Sequence, residues 1–585
     1  MKIKPLPSKL LCTKCNLKLL NFSTTNELAV LSEPIGQDRA MSAIELGIHI
    51  RQSGYNLYLL GPKGTGKYNL INSVLKLEAV NQPTPNDWCY IHNFSDPQKP
   101  LALELPPGMG PELQKDMNSL IEDLRTEIPA ILDSVEFRSQ IQKLEDGIKN
   151  REEDEFKKIE DKAQQNGLAI VTTPKGFLVT PLRDGKPMTN KEMEQLPDAE
   201  RTQKQQKINA IRDQLTQMLE QLPRWHKEKH DKQKVLQKEF TSIVVNRLVE
   251  QMQQKYQQQN RIIQFLNIVS DDIMENSQAF YSNDRKIQTE LSFIKYKVNV
   301  LVSHAPNSGA PVIYEDHPSH VNLIGRSEYM AELGAFTTNF TLIRAGALHQ
   351  ANGGFLILDA QQVLTQPYAW ESLKRMLYGE KITIESLGQA MGFPSTVSLE
   401  PEPIPLRVKV ILLGERSLYY LLSENDVYFP DLFKIAADFS NHIARTPENL
   451  ILFARLLATV VEKQQLLPLN RHAVAKMIDH SCRLSGDSRR LLIFLRTLQD
   501  LLCEANYWAD QEGHVVIKAT DIQKAIDQQI LRSNRLQIRI QEDYRRGLLL
   551  VDTKGKKIGH VNGLSVLQIG NYAFGSPSRI TAAVR

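Results

Sequence analysis

Residues Gly61, Pro62, Lys63, Gly64, Thr65, Gly66 and Lys67 spell GPKGTGK, a spacing in which two glycines bracket a turn and a lysine closes it. Such a loop can hold phosphate. Glycines let consecutive backbone N–H groups curl around phosphate oxygens, a helix starting at the lysine adds the positive end of its dipole, and the ammonium reaches the outermost phosphates. The context supports this chemistry, because the short apolar run from Asn56 to Leu60 reads as a buried strand before the loop and the residues after it read as a helix. One position departs from the pattern. Tyr68 stands where a Ser or Thr hydroxyl usually holds Mg²⁺, and a distant phenol oxygen cannot take that place without displacing the ion.

Two acidic residues are candidates to work with the loop. Asp359 ends the buried run FLILD and suits a metal-facing carboxylate. The next residue is Ala360, where a hydrolase of this kind carries the glutamate that polarises the attacking water. Glu415 ends the run ILLGE and is placed to approach a γ-phosphate, although a lone acid at a strand end is as often merely solvent-facing. Tyr68 and Ala360 both argue against fast hydrolysis. Two classes stay open: a motor that burns ATP, and a nucleotide-binding scaffold that does not.

The elements that must position these residues can be read from periodicity. EPIGQDRAMSAIELGIHIRQSG places Ala40, Ala43, Ile44, Gly47 and Ile48 at helical spacing and stops at Gly54. DWCYIHNF and LALELP read as strands. From about Pro111 to Asn166, and from Thr189 to about Asn276, Glu, Lys and Gln dominate, with apolar residues at three- and four-residue steps. These stretches predict a helical arm. Between them LAIVTTPKGFLVTPLRDGKPMT predicts a small hairpin, and Thr189 with Glu192 offers a capping box for the second helical stretch. Pro129, Gly147, Pro197 and Pro223 interrupt any sustained heptad, so packing within one chain is favoured over a free-standing coiled coil. YKVNVLVSH, GGFLILDAQQVL and LRVKVILLGE are compact apolar runs suited to buried parallel strands. Residues 446–540 read as helical, and short β-like runs follow from Arg545.

Bulk composition sets the remaining bounds. The chain has 585 residues, too many for one core, so about three to five folding units are expected. Its 41% hydrophobic and 24% charged residues are those of a folding protein. The formal charge of +4 is too small to demand nucleic acid or an anionic membrane, and no apolar run approaches the roughly 18 to 20 residues of a bilayer span. A cytoplasmic protein with no membrane partner is the default expectation. The five cysteines are odd in number and scattered, which fits a reducing compartment. Cys12 and Cys15 form one CxxC with no second pair at zinc spacing, so incidental thiols on a loose, polar lead-in are preferred to a structural metal.

IGQDRAMSAIELGI, the loop from Gly61 to Lys67, IRAGALHQANGGFLILDAQQVL, SLEPEPIPLRVKVILLGE and HVNGLSVLQIGNYAFGSPSRITAAVR together resemble the Lon protease family, in its LonB-like branch of AAA+ ATP-dependent serine proteases. The resemblance implies an α/β fold class: an AAA+ P-loop NTPase core with a large helical, coiled-coil-like insertion, a C-terminal helical lid, and the start of a Lon-type α+β peptidase domain. The divisions it suggests are a tail (1–26), a first core part with the loop (27–107), a helical arm (108–295), a second core part (296–445), a lid (446–540) and the peptidase start (541–585).

Residue by residue, the resemblance implies ATP and Mg²⁺ as cofactors. Residues 36–39, among them Gly36 and Gln37, would pack near the adenine. Lys67 would be the Walker A lysine, Asp359 the Walker B aspartate and metal ligand, and Arg496 the lid arginine that senses the γ-phosphate. Lys434 falls near the place of a neighbouring subunit's arginine finger but lacks the forked guanidinium. Phe336 in LGAFTTNF aligns with the aromatic pore loop that grips polypeptide, against the plainer reading of a core Phe. The implied partners are copies of the same chain in a ring, six by family habit, and unfolded or damaged proteins. A DNA partner for the Lys-rich arm has less support because its charges are mixed. The Ser-Lys dyad of such peptidases would lie beyond the opening strands that carry Ser565, Ser576 and Ser578, so none of these is expected to be a nucleophile and no peptidase activity is expected of this chain.

Overall fold

Apolar runs without polar alternation must be covered on both faces, and the chain's arrangement follows from satisfying that demand. A computed structural model describes residues 7, 13–31, 34–173, 176–183, 186–188, 197–281, 292–332, 335–385, 399–570 and 572–583. Helix α1 (Asp38–His49) buries Ala40, Ile44, Gly47 and Ile48 and leads to β1 (Leu57–Leu60), all of whose residues are buried. The glycine loop then opens α2 (Lys67–Val80). Strands β2 (Asp87–Ile91) and β3 (Leu101–Leu105) come next.

The arm begins with α3 (Met109–Leu132) and α4 (Val135–Gln165). The expected hairpin forms from β4 (Leu168–Thr173) and β5 (Gly176–Arg183), paired from Leu168↔Pro181 to Thr173↔Gly176. The chain returns along α5 (Asp198–Lys255) and α6 (Asn260–Glu275). At 58 residues α5 is about 87 Å long. It runs without a break through Pro223, so that proline does not interrupt the helix as its type suggests; one lost backbone bond is a small fraction of so long a ladder. Thr189 and Glu192 lie outside the described residues. Helices α4 and α5 pack together within the chain, and at the hairpin end Ile159, Ala163, Leu168, Val179, Ile208, Ile211 and Leu215 form one apolar cluster.

After the arm come β6 (Val298–Val302), β7 (Val312–Glu315), the short pair β8 (Met330–Glu332) and β9 (Ala335–Thr337), and β10 (Phe355–Asp359). Helix α7 (Ala360–Thr365) starts directly at the end of β10. Strand β11 (Lys409–Gly414), helix α8 (Arg416–Asn425) and strand β12 (Ile435–Asp438) complete the core. Its sheet has the order β12-β1-β11-β10-β7, with every neighbouring pair parallel. Tyr58, Leu60, Leu356, Leu358 and Leu412 pack in the cluster on one face, and Leu57, Leu59, Ile357, Ile411 and Leu413 in the cluster on the other. The registers Leu60↔Gly414 and Leu60↔Asp438 bring the carboxyl ends of the central strands to one edge, where ligands of open parallel sheets bind.

One expected parallel strand is not one. Strand β6, from YKVNVLVSH, pairs antiparallel with β2 in a separate sheet of order β3-β2-β6. An apolar run does not encode the direction of its partner; here the backbone of β6 is held to the arm, Gln114 Nε2 donating to the Val298 carbonyl at 2.8 Å. Buried Asp87 at the start of β2 accepts from Gly110 N and His304 N, so this sheet and the arm's base share one apolar cluster.

Helices α9 (Pro447–Lys463), α10 (Arg471–Ser485), α11 (Leu495–Gln511) and α12 (Ala519–Ser533) enclose a further core; α13 (Arg535–Arg545) leads from it to the hairpin β13 (His560–Ile569) and β14 (Tyr572–Thr581). Residues 13–31 of the lead-in before α1 are not loose. Leu20 and Phe22 are buried in this helical core, Thr25 N donates to the Leu469 carbonyl at 2.9 Å, and Leu469 N returns a bond to Thr25 Oγ1 at 3.0 Å. Its polar composition concealed two anchoring apolar side chains. Among the described residues no helix is long and apolar enough to cross a membrane.

Candidate nucleotide site

The loop after β1 is shaped by what crowds it. Gly64 has φ +92, and a Cβ there would lie 3.0 Å from both Arg496 Cβ and Phe494 Cζ, so the start of α11 is pressed onto the loop. Arg496 N also points to the Gly64 carbonyl at 3.4 Å, while its side chain stays exposed. Thr65 Oγ1 donates to the Pro62 carbonyl at 3.0 Å, tightening the turn. Lys67, the first residue of α2, is buried. Its ammonium donates to the carbonyl of Gly61 and, at 2.8 Å, to that of Gly414. Burial lowers its pKa to about 8 against the opposing pull of Asp359 and Glu415.

Those two carboxylates arrive from adjacent parallel strands. Asp359 ends β10, and its Oδ1 accepts from Gln362 N at 3.1 Å, capping α7. Glu415 follows β11 and precedes α8, its backbone carbonyl accepting from Tyr58 OH at 3.2 Å. With Lys63, Lys67, Tyr68 and Tyr314 they line a cleft of about 550 Å³. Lys63 Nζ donates to Gln361 Oε1 at 3.0 Å across it. Ala360 is buried in the core and offers no carboxylate.

Tyr68 does not reach into the position of a metal-holding hydroxyl; its ring lies against Tyr314, centroids 4.6 Å apart and planes at 50°. Sequence reasoning missed Tyr314, Gln361 and Phe494. Tyr314 and Phe494 belong to segments far from the loop in sequence and carry no motif; Gln361 stands two residues after Asp359, where that adjacency was a usable signal.

The other predicted positions fall into three groups. Gly36 lies at a second cleft of about 420 Å³, lined also by Asp38, Arg39, Arg416, Asp438 and Ser440, and Gln37 is buried behind it. Gln37 is fixed there by a two-way amide bond with Ser440, Nε2 to the carbonyl at 2.7 Å and Ser440 N to Oε1 at 3.0 Å. The two clefts adjoin at the consecutive residues Glu415 and Arg416. Lys434 lies outside both, just before β12 and thus at the opposite edge of the sheet from the loop, with its Nζ 5.0 Å from the Tyr55 ring centroid. Phe336 stands in β9 opposite Ala331, away from the cleft lining; its side chain lies outside the described residues.

Cys12 is likewise outside them. Cys15 is half-buried against the helical core, its backbone N donating to Asp479 Oδ1 at 2.7 Å and burial raising its thiol pKa.

A parallel five-stranded sheet with a glycine loop after β1, the second strand in its order, an acidic residue on the strand two positions away and a helical lid on the loop defines an AAA+ P-loop NTPase fold. Residues 308–440 match the LonB-like AAA domain, residues 468–532 the archaeal LonB AAA+ ATPase lid domain, and residues 87–120 the Lon-like LonC helical domain. A Lon protease homolog of Escherichia coli (strain K12) is 27% identical over 43% of this chain and 42% of its own length. One of Haemophilus influenzae is 26% identical over 41% of this chain and 39% of its own. These matches support a Lon-family, LonB-like chain. The matched region spans about two fifths of the length of these curated relatives. NtrX from Brucella abortus in complex with ATP aligns over 40% of this chain and 51% of its own at 16% identity and a TM-score of 0.25, a likeness too loose to bear weight.

Proposed function

We propose that the chain is the ATP-binding, substrate-handling portion of a Lon-type ATP-dependent protease. Copies assemble as a ring of six in the cytoplasm, and the cleft beside Lys67 holds ATP. The adenine lies toward Gly36 and Gln37, Arg496 senses the γ-phosphate from the lid, and Lys434 is presented to the neighbouring subunit. The β8–β9 hairpin carries Phe336 to the pore, where unfolded polypeptide is gripped, and the arm engages or gates that substrate. The observation supporting this reading is the convergence of Lys67, Asp359 and Glu415 on one cleft whose loop is pressed by Phe494 and Arg496.

Measuring released phosphate from purified protein, with Lys67→Ala as control, tests it: turnover above the control is expected, and turnover equal to the control rejects the motor. A second reading, a nucleotide-binding scaffold without turnover, is favoured by the Tyr68–Tyr314 contact and by Ala360. The loop residues fit a nucleotide better than they fit the magnesium that usually accompanies one. DNA is the less favoured partner, because cations on the arm are matched by acids, as in Lys229–Glu145 at 2.9 Å and Arg151–Glu228 at 3.8 Å. The hydroxyl of Ser565 is taken up within the β13–β14 hairpin, donating to the Ser576 carbonyl at 2.9 Å, and no nucleophile is assigned there.

A further inference from the structure

We propose that the cleft binds nucleoside triphosphate without a divalent cation, because Tyr68 packed on Tyr314 replaces the hydroxyl that would hold the metal and Lys63 supplies a second positive charge in its stead. The inference rests on the nucleotide-binding reading of the same cleft.

Magnesium demands near-ideal octahedral oxygen ligation at about 2.0–2.1 Å, which a short Ser or Thr hydroxyl on the first turn of the loop helix satisfies. Tyr68 occupies that turn, and its ring is committed to Tyr314, which stands on β7 at the edge of the sheet next to the strand that ends in Asp359. The carboxylate of Asp359 is itself engaged, accepting the N–H of Gln362. Ala360 adds no oxygen ligand. Of the two groups expected to seat the ion, the hydroxyl is replaced by the Tyr68 ring packed on Tyr314, and Asp359 already has its Oδ1 engaged at the helix cap.

The charge balance points the same way. A triphosphate stripped of its metal needs cations from the protein. Lys67 is one, and Lys63, four residues earlier on the loop, is another: its partner is the neutral amide of Gln361, and among the described residues it forms no ion pair with a carboxylate. The start of the 14-residue helix α2 adds its dipole. Because Asp359 and Glu415 line the same cleft, Lys67 alone cannot balance a metal-free triphosphate; Lys63 and the helix dipole add positive charge on the loop side, and an aromatic pair stands where the ion would sit.

Calorimetric titration of the full chain with ATP and with ADP, once with Mg²⁺ and once with EDTA, tests the proposal in three proteins. The wild type is expected to bind with dissociation constants within about twofold in the two conditions. Tyr68→Thr is expected to become metal-dependent, at least about tenfold tighter with Mg²⁺ than with EDTA. Lys63→Ala is expected to lose about tenfold or more in EDTA. A wild type that needs Mg²⁺ by about tenfold overturns the proposal, as does a Tyr68→Thr variant with no metal dependence. Should Tyr68→Thr fail to fold by circular dichroism, Tyr68→Ser, which supplies the same short hydroxyl, takes its place with the same expectation. Absence of binding by every protein in both conditions overturns the nucleotide reading itself, and this inference with it.

Discussion

The nucleotide cleft and the helical arm are built on opposite plans. In the cleft, Lys67, Tyr314, Asp359 and Glu415 come from segments spread over much of the chain, parallel strands bring them to one edge, and the lid sets Arg496 against the loop. In the arm, α4 and α5 meet through side chains three and four residues apart, joined by a hairpin that is local in sequence. The cleft is a product of register; the arm is a product of periodicity. A substitution in one should therefore spare the other, which gives the comparison its experimental edge.

The largest effect is expected at the hairpin end of the arm. Ile211→Ala opens a cavity in a small cluster and should cost about 2–5 kcal/mol locally, seen as faster amide exchange in residues 156–215, while ATP affinity stays unchanged. A fall in ATP affinity there would mean that arm and cleft are coupled. Next comes Lys67→Ala, expected to weaken ATP binding by about a hundredfold through loss of charge-assisted contacts, with the exchange pattern of the arm unaltered. Gly64→Ala combines φ +92 with contact against Arg496 and Phe494; it should cost about 1–3 kcal/mol, read as a lowered melting temperature and a loosened lid.

A smaller effect follows from protons. In the empty loop Lys67 titrates near pH 8, and phosphate must raise that value, so affinity is fully present below pH 8 and declines above it, by at most about tenfold per pH unit. Binding measured from pH 7 to 9.5 should show this fall, and proton uptake on binding near pH 8.5. For folding the sign reverses: the unfolded chain binds more protons between pH 8 and 10.5, so this group's penalty on stability is relieved as pH rises through that window. The smallest effect is expected from Lys229→Ala on the arm, whose half-buried pair with Glu145 should be worth about 0–1 kcal/mol and weaken in high salt.

Legibility in the sequence followed the same divide. The loop, its flanking strand and helix, the hairpin and both helical stretches could be read because each is specified by neighbours within a turn or two. Misreadings occurred where partners are remote. VNVLV looks like any buried strand, and only its pairing with β2 makes it antiparallel. Residues 1–26 look like a polar lead-in, and only the helical core gives Leu20 and Phe22 somewhere to go. Tyr68 was visible as an exception, but its consequence depends on Tyr314, which no local pattern marks.

By itself, then, the sequence determined a glycine-rich loop on a strand-to-helix turn, acidic residues at strand ends, and amphipathic helices, since backbone permissiveness and side-chain period act over a few residues. Only the tertiary structure decided which strands are neighbours, which lid residues press on the loop and which ring Tyr68 meets. Parallel strands are joined by long crossovers, so their order is settled by how the whole core buries its two faces and not by any one stretch of chain.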